Sequence, residues 1–334
     1  MPIFNFYSYE IKQAEDSSDL FAGDNGTEEG KTAPRYDSPE ECFGSFFVTN
    51  QSIELPVLKS SGRGREKTRE WDKHKCDVMQ HVDGVILMTI ENNKVKHTTV
   101  DKKDKKNPHH PFSMVMIDNR PGKQIIGIEK NSAFDSNPDK VAAILKMGMS
   151  FLMADYHRKV ELTHLKKKST EFWPVVDELR TKFKDIVKQI RLDFNGKEDE
   201  ADANDVMRVM SALARKAESE AVFMLNAEGE GEIKLQEIHD DLSNMAAICL
   251  RQKGYDLTVK FKNFGLYRYG ADLLAQFGVD DKVIESFEMG IKEFDFDRRS
   301  EKYELVDWLD KLAELLNGYE KHAISKGRKG RHRR

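Results

Sequence analysis

Two short apolar runs around a proline-glycine turn set the strongest limit on how this chain can fold. Residues 112–117 read Phe-Ser-Met-Val-Met-Ile, residues 118–122 Asp-Asn-Arg-Pro-Gly, and residues 124–128 Gln-Ile-Ile-Gly-Ile. Apolar runs of this length, bounded by turn residues, predict a buried hairpin. Asn137 and Pro138 then predict a helix start, because an Asn side chain caps free amides and proline suits the first helical position. Val141, Ile144, Leu145, Met149, Leu152 and Met153 recur at helical spacing, and Ala142, Ala143 and Met147 widen the apolar surface. A helix from 139 to about 157, buried on more than one side, is the expectation. A strand follows at 160–165. Hairpin, helix and strand together are expected to form the central packing unit and the hinge between two halves. They carry no catalytic signature.

A length of 334 residues accommodates two domains, each with its own core. Before the hairpin the reading is mostly β. Residues 3–12 predict a strand and residues 14–40, acidic and rich in Gly and Pro, a long loop, with a disordered insertion as the alternative. One or two short strands are expected in 42–55, a flexible basic loop around 60–75, and a strand at 82–91. Residues 94–101 are expected to pair back onto that strand through a turn at Asn92 and Asn93, followed by a polar loop at 101–111. After residue 160, strands at 187–194, 221–225 and 257–261 alternate with helices at about 171–184, 203–218 and 234–252. Short helices near 272–277 and 280–290 and an amphipathic helix at about 302–322 complete the reading. The fold class is therefore α+β: a β-rich N-terminal domain (1–135), an alternating α/β domain (136–262) of the split βαβ, ferredoxin-like kind, a C-terminal helical region (263–324) and a basic tail (325–334).

Charge and cysteine content narrow the function classes. The formal net charge is −4, so binding of a polyanion by bulk charge is excluded and only local clusters matter. Cys42, Cys76 and Cys249 are odd in number and far apart, which fits a reducing compartment better than a disulfide framework. With no CxxC spacing and no long apolar run, neither a sulfur-rich zinc site nor membrane insertion is expected. The N-terminal residues lack a signal-peptide pattern, and a cytoplasmic location is the expectation.

Four basic segments stand out. The first contains Arg63, Arg65, Lys67, Arg69, Lys73 and Lys75, with Trp71 placed either to stack on a base or to anchor the segment to the core. A second spans 94–106, partly cancelled by Asp101 and Asp104. Lys166, Lys167 and Lys168 form a third, where a helix N-terminus capped by Ser169 or Thr170 would favour a phosphate. The tail contributes Lys326, Arg328, Lys329, Arg331, Arg333 and Arg334. Flexible Arg and Lys bind a phosphate backbone by releasing counterions; any one such cluster alone reads more simply as a solvated loop.

Asp118, Glu129 and Lys130 approach the pattern of a metal-dependent nuclease, but Glu129 and Lys130 are adjacent and would point to opposite faces of a strand. His74, Cys76, His81, His109 and His110 are the candidate metal ligands and read more simply as loop and strand residues. No metal or other cofactor is expected. Nucleotide-binding and hydrolase motifs are absent, and the Gly-containing turn at 228–232 is acidic enough to repel phosphate. The methionines read as core filler. The last helix and the aromatic stretch 264–269 are candidate oligomer surfaces.

The order of these features resembles bacterial phage-exclusion and defence accessory proteins, the lambda Rex-type exclusion protein and the Kiwa-type DNA-binding component. The resemblance covers roughly residues 80–260. It rests on the β-rich half ending in the hairpin at 112–117 and 125–128, followed by a helix and an alternating half that starts at 160–165. It implies a non-enzymatic, oligomeric DNA-binding protein that works with a protein partner, and it assigns no functional residue. The functional expectation is a nucleic-acid-binding accessory protein of an antiviral defence or mobile-element system, with DNA as the expected ligand. An oligomeric scaffold without nucleic-acid binding and a divergent metal-dependent nuclease are the alternatives.

Overall fold

A computed structural model describes residues 1–14, 36–61, 68–100, 103–109, 111–168, 172–194, 205–219, 221–251, 255–270, 273–295 and 300–324. The chain is a mixed α+β protein with two compact units, one made of Tyr7–His164 and the chain from Lys321, the other of Met1–Phe6 and Leu165–Glu320. The expected boundary at 135/136 therefore does not coincide with them: the helix after the hairpin packs with the strands that precede it.

In the first unit the elements are β1 (Ile3–Gln13), α1 (Pro39–Gly44), β2 (Ser52–Ser61), β3 (Thr68–Val82), β4 (Val85–Glu91), β5 (Lys94–Val100), β6 (Lys103–His109), β7 (Phe112–Asp118), β8 (Ile125–Glu129), α2 (Pro138–Leu152) and β9 (Arg158–Lys166). β2, β3, β4, β7 and β8 form an antiparallel run, and residues 7–13 of β1 pair with β9. The first residues of β1 pair instead with a strand of the other unit's sheet, to which they belong.

The hairpin forms as expected, with Val115 opposite Ile128 and Ile117 opposite Ile126. Val115, Ile117, Ile126 and Ile128 join Tyr9, Phe43, Leu55 and the buried face of α2 in one core. Each such side chain contributes roughly 1.5–3 kcal/mol on burial. Asn137 caps α2 by accepting from the Asp139 amide at 3.1 Å. The helix stops at Leu152, short of 157, because a single 3₁₀ turn takes over and His157 adopts a left-handed φ of 52°.

α2 lies very close to β2. A Cβ on Gly148 would stand 2.6 Å from Leu55 Cβ and 3.1 Å from Leu55 Cα. Gly→Ala in an open helix stabilises by up to about 1 kcal/mol. Here Gly148→Ala is expected to destabilise by about 1–3 kcal/mol through overpacking. Urea denaturation measures it, and a stabilised variant would show that α2 does not sit this close.

Two sequence expectations in this unit are overturned. Residues 68–75 belong to a long strand, β3, whose start pairs Ser61 with Thr68, so this half of the basic loop is sheet. Residues 94–100 do not fold back on 82–91, and 103–109 are not a loop: β5 pairs with β6, while β4 pairs with β3 and β7. The reason is register. Val85 opposite Asp118, Glu91 opposite Phe112, Lys94 opposite His109 and Val100 opposite Lys103 are one unbroken alignment, and the Asn92 amide donates to Pro111 O at 2.8 Å across the gap. The pairing thus continues past Asn92 to Val100 and Lys103.

The second unit contains α3 (Phe172–Thr181), β10 (Val187–Phe194), α4 (Asp205–Lys216), β11 (Ala221–Asn226), α5 (His239–Arg251), β12 (Asp256–Phe261), β13 (Leu266–Gly270), β14 (Gln276–Gly278), α6 (Asp281–Glu288), β15 (Glu293–Asp295), β16 (Ser300–Lys302) and α7 (Glu304–Leu316); β17 (Glu320–Ala323) closes the described chain. The strand order is β11, β10, β12, β13, β14 and the start of β1. Every described pairing in it is antiparallel. A split βαβ arrangement needs a parallel pair, so the ferredoxin-like expectation fails: β11 returns beside β10 after α4 without crossing the sheet.

One face of this sheet is apolar and carries the helices. Ile190, Leu192, Leu257, Val259, Tyr267 and Tyr269 are buried on it, with Phe172 of α3 against both tyrosines and α4 over β10 and β11. The other face is polar, with ion pairs Arg268–Asp256 and Arg191–Asp193. Residues 273–278, expected as part of a short helix, contain a bridge at Leu274 and the strand β14. Phe264, Tyr267, Tyr269 and the apolar face of α7 are core, not an oligomer surface.

Candidate functional site

The β5–β6 register separates lysine positions from an aspartate position that lies among them in the sequence. Among the described strands this ribbon pairs only with itself. Side-chain positions alternate along a strand, and directly opposed residues share a face. The register puts Lys94 opposite His109, Lys96 opposite Asn107, Thr98 opposite Lys105 and Val100 opposite Lys103. These positions form one face holding Lys94, Lys96, Lys103, Lys105 and His109, without a carboxylate. Asp104 is opposite Thr99 and belongs to the other face, with His97 and Lys106. Lysines on one strand of this face recur about every 7 Å. At the base of the same hairpin the corresponding positions are Ile86, Met88 and Ile90, all buried.

The other predicted binding residues fare differently. Arg63, Arg65 and Lys67 lie outside the described residues, as do Lys326, Arg328, Lys329, Arg331, Arg333 and Arg334. Arg69 occupies a β3 position opposite Ser60. Lys73 is paired with Glu54 at 2.7 Å, and Lys75 with Asp77 at 2.8 Å and Glu91 at 3.9 Å. Their charge is thus matched on the sheet itself. Trp71 meets Phe151 edge-on at 5.0 Å, which favours its anchoring role, although it is 44% exposed. Of the three consecutive lysines, Lys168 is exposed and Lys166 half-buried, but Lys167 is buried at 3% exposure. Its ammonium donates to Arg268 O and lies 4.8 and 5.0 Å from the Tyr267 and Tyr269 ring centres. It serves the core, where it has no access to a phosphate; the sequence reading of Lys167 is corrected on that ground.

A cavity of about 790 Å³ opens in the first unit between α1 and the β3–β4 and β7–β8 turns. His81 lies on its wall, with Nδ1 2.7 Å from Phe47 O. A carbonyl only accepts, so Nδ1 carries the proton in the neutral ring. Buried Asn119 accepts from the Tyr9 hydroxyl and donates to Glu40 O at 2.7 Å. Burial, aided by the Asp118 and Glu40 carboxylates, pushes the Tyr9 hydroxyl well above its ordinary range, so it remains a donor. Arg120 is already engaged, forking onto fully buried Asp118 at 2.6 and 2.8 Å. Gly84, at φ +73°, lets Arg120 cross the turn, since a Cβ there would stand 2.9 Å from Arg120 Cγ. Among the described residues no Ser, Thr or Cys side chain bonds the His81 ring, so the nucleophile–base pair of a covalent hydrolase is not assembled here. Sequence reasoning missed this cavity because its walls come from three separated segments with no motif in common.

The nuclease alternative loses its geometry. Asp118 sits opposite Ile125 at one end of the β7–β8 hairpin. Glu129 ends the other strand, its carboxylate accepting from the Met114 amide at 3.1 Å and the Asn131 side chain at 2.8 Å. About four residues of strand, roughly 13 Å, separate the two carboxylates, too far to share one ion. His74 Nδ1 is held at 2.9 Å from Glu91 O, and Cys76 is fully buried with its thiol pushed far up by desolvation. Among the described residues no group of three or more His, Cys, Asp or Glu is placed to hold a metal ion. No described helix is long and apolar enough to cross a membrane. Comparison with protein-family models, with curated proteins and with solved structures gave no match.

Proposed function

We propose that this protein binds duplex nucleic acid, DNA in preference to RNA, through the lysine face of the β5–β6 ribbon, in a non-catalytic accessory role. The register is the observation that supports it: four lysines and a histidine occupy positions on one face, and Asp104 a position on the other. A two-stranded ribbon fits the major groove of B-DNA, whereas the major groove of A-form RNA is too deep and narrow to admit one. The basic segment leading into β3 and the C-terminal basic residues would add phosphate contacts without setting sequence preference.

Fluorescence anisotropy of labelled DNA and RNA duplexes of one sequence, titrated with the full chain, tests this. Four lysine–phosphate contacts correspond to a slope of about −3.6 in log K against log salt, or a loss of about 150-fold between 50 and 200 mM. Replacing residues 94–109 with a two-residue Asn-Gly turn should make the slope shallower by about 3.6 units. Absence of binding at 50 mM salt, or binding untouched by the deletion, would overturn the proposal. Stronger binding to RNA would overturn its groove geometry.

A further inference from the structure

The sheet of the second unit ends on a strand that natural edges rarely resemble. β11 is the last strand in the order, and β10 is its one partner among the described residues. Its sequence, Ala-Val-Phe-Met-Leu-Asn, has no charge, proline or glycine. Proteins normally blunt an open edge with such residues, because a bare apolar edge recruits other strands. Here Val222 and Met224 are 42% and 41% exposed on the side away from α4. On the helix side, Val209 and Leu213, one turn apart on α4, are 58% and 55% exposed. Exposed apolar side chains thus occur on the outward face of the edge strand and on the helix that covers its other face.

We propose that β11 pairs antiparallel with β11 of a second copy of this chain, joining the two sheets across a twofold axis at Phe223. The strand's complementarity to itself favours a second copy over an unrelated strand. With Phe223 opposite its own counterpart, Val222 meets Met224 of the other copy and Ala221 meets Leu225, so these five positions set apolar against apolar, and Asn226 falls opposite Glu220 with no like charges opposed. The candidate oligomer surfaces suggested by the sequence, α7 and residues 264–269, contribute their apolar side chains to the interior of the unit.

Sedimentation equilibrium of the full chain between 1 and 100 µM should give the mass of a dimer that dissociates on dilution. Val222→Lys with Met224→Lys places lysines opposite one another across the axis, and like charges so opposed cost several kcal/mol. The dissociation constant should rise at least about 100-fold. Met289→Lys, at a residue 71% exposed elsewhere on the unit, should leave it unchanged. Hydrogen exchange on the unmutated chain gives an answer that does not depend on the variant folding: the amides of Val222 and Met224, which alternate with those facing β10, should be protected at 100 µM and lose protection at 1 µM. A monomer at all concentrations, exchange independent of concentration, or a dimer indifferent to the double lysine variant would each overturn the proposal. None of these outcomes bears on nucleic-acid binding by the ribbon, which lies in the other unit.

Discussion

With Lys94, Lys96, Lys103 and Lys105 all changed to glutamine, affinity for duplex DNA at 50 mM salt is expected to fall at least about 100-fold. The salt slope should become shallower by three to four units, about one per phosphate contact removed. Glutamine keeps length, strand compatibility and hydrogen-bonding capacity, so the change isolates charge. The decisive comparison is with the opposite face. Lys106→Gln and His97→Gln remove basic groups from the same ribbon, but from positions opposite each other on the Asp104 face. They should change the slope by less than one unit together. If Lys106→Gln costs as much as any one of the four, binding responds to net charge on the ribbon and its face does not matter. Anisotropy at four salt concentrations separates the two outcomes.

The largest expected stability effect is at Trp308. Its indole is buried at 4% exposure, stacks on Phe264 with ring centres 5.2 Å apart, approaches Phe6 at 5.8 Å and donates from Nε1 to Phe264 O at 2.6 Å. Phe264 is itself held by Asp185, whose carboxylate accepts its amide at 2.7 Å. Trp308→Ala removes a large ring from a closed aromatic cluster and strands a buried carbonyl. A loss of about 4–5 kcal/mol in urea denaturation is expected, comparable to the whole stability of many domains. Trp308→Phe restores most of the packing but not the donor, and should cost about 1–3 kcal/mol. A Trp308→Ala variant within 1 kcal/mol of the parent would mean that α7 is not part of this core.

Much of the local structure was legible in the residues. The hairpin at 112–128, the capped start of α2, and the strand at 187–194 follow from apolar periodicity, Asn-Pro capping and turn residues, all of which act over a few positions. The errors share one cause. Residues 94–109 are polar, and polarity reads as loop; what makes them strands is an alignment inherited from β4 and β7. Residues 68–75 are charged and β-paired because β2 lies beside them. Lys167 looks like its two neighbours in sequence, yet the tyrosines that enclose it lie a hundred residues further on.

By itself, then, the sequence determined which segments could be helix or strand, where the apolar core had to come from, and that positive charge was available only in patches. Those are properties of short stretches, governed by side-chain periodicity and backbone preference. Which lysines share a face, which are cancelled by a carboxylate, which one is swallowed by the core, and which strand is left at the edge were decided only by tertiary structure. They depend on pairing between segments far apart in the chain, and pairing register is set by the sum of many weak contacts that no single stretch contains.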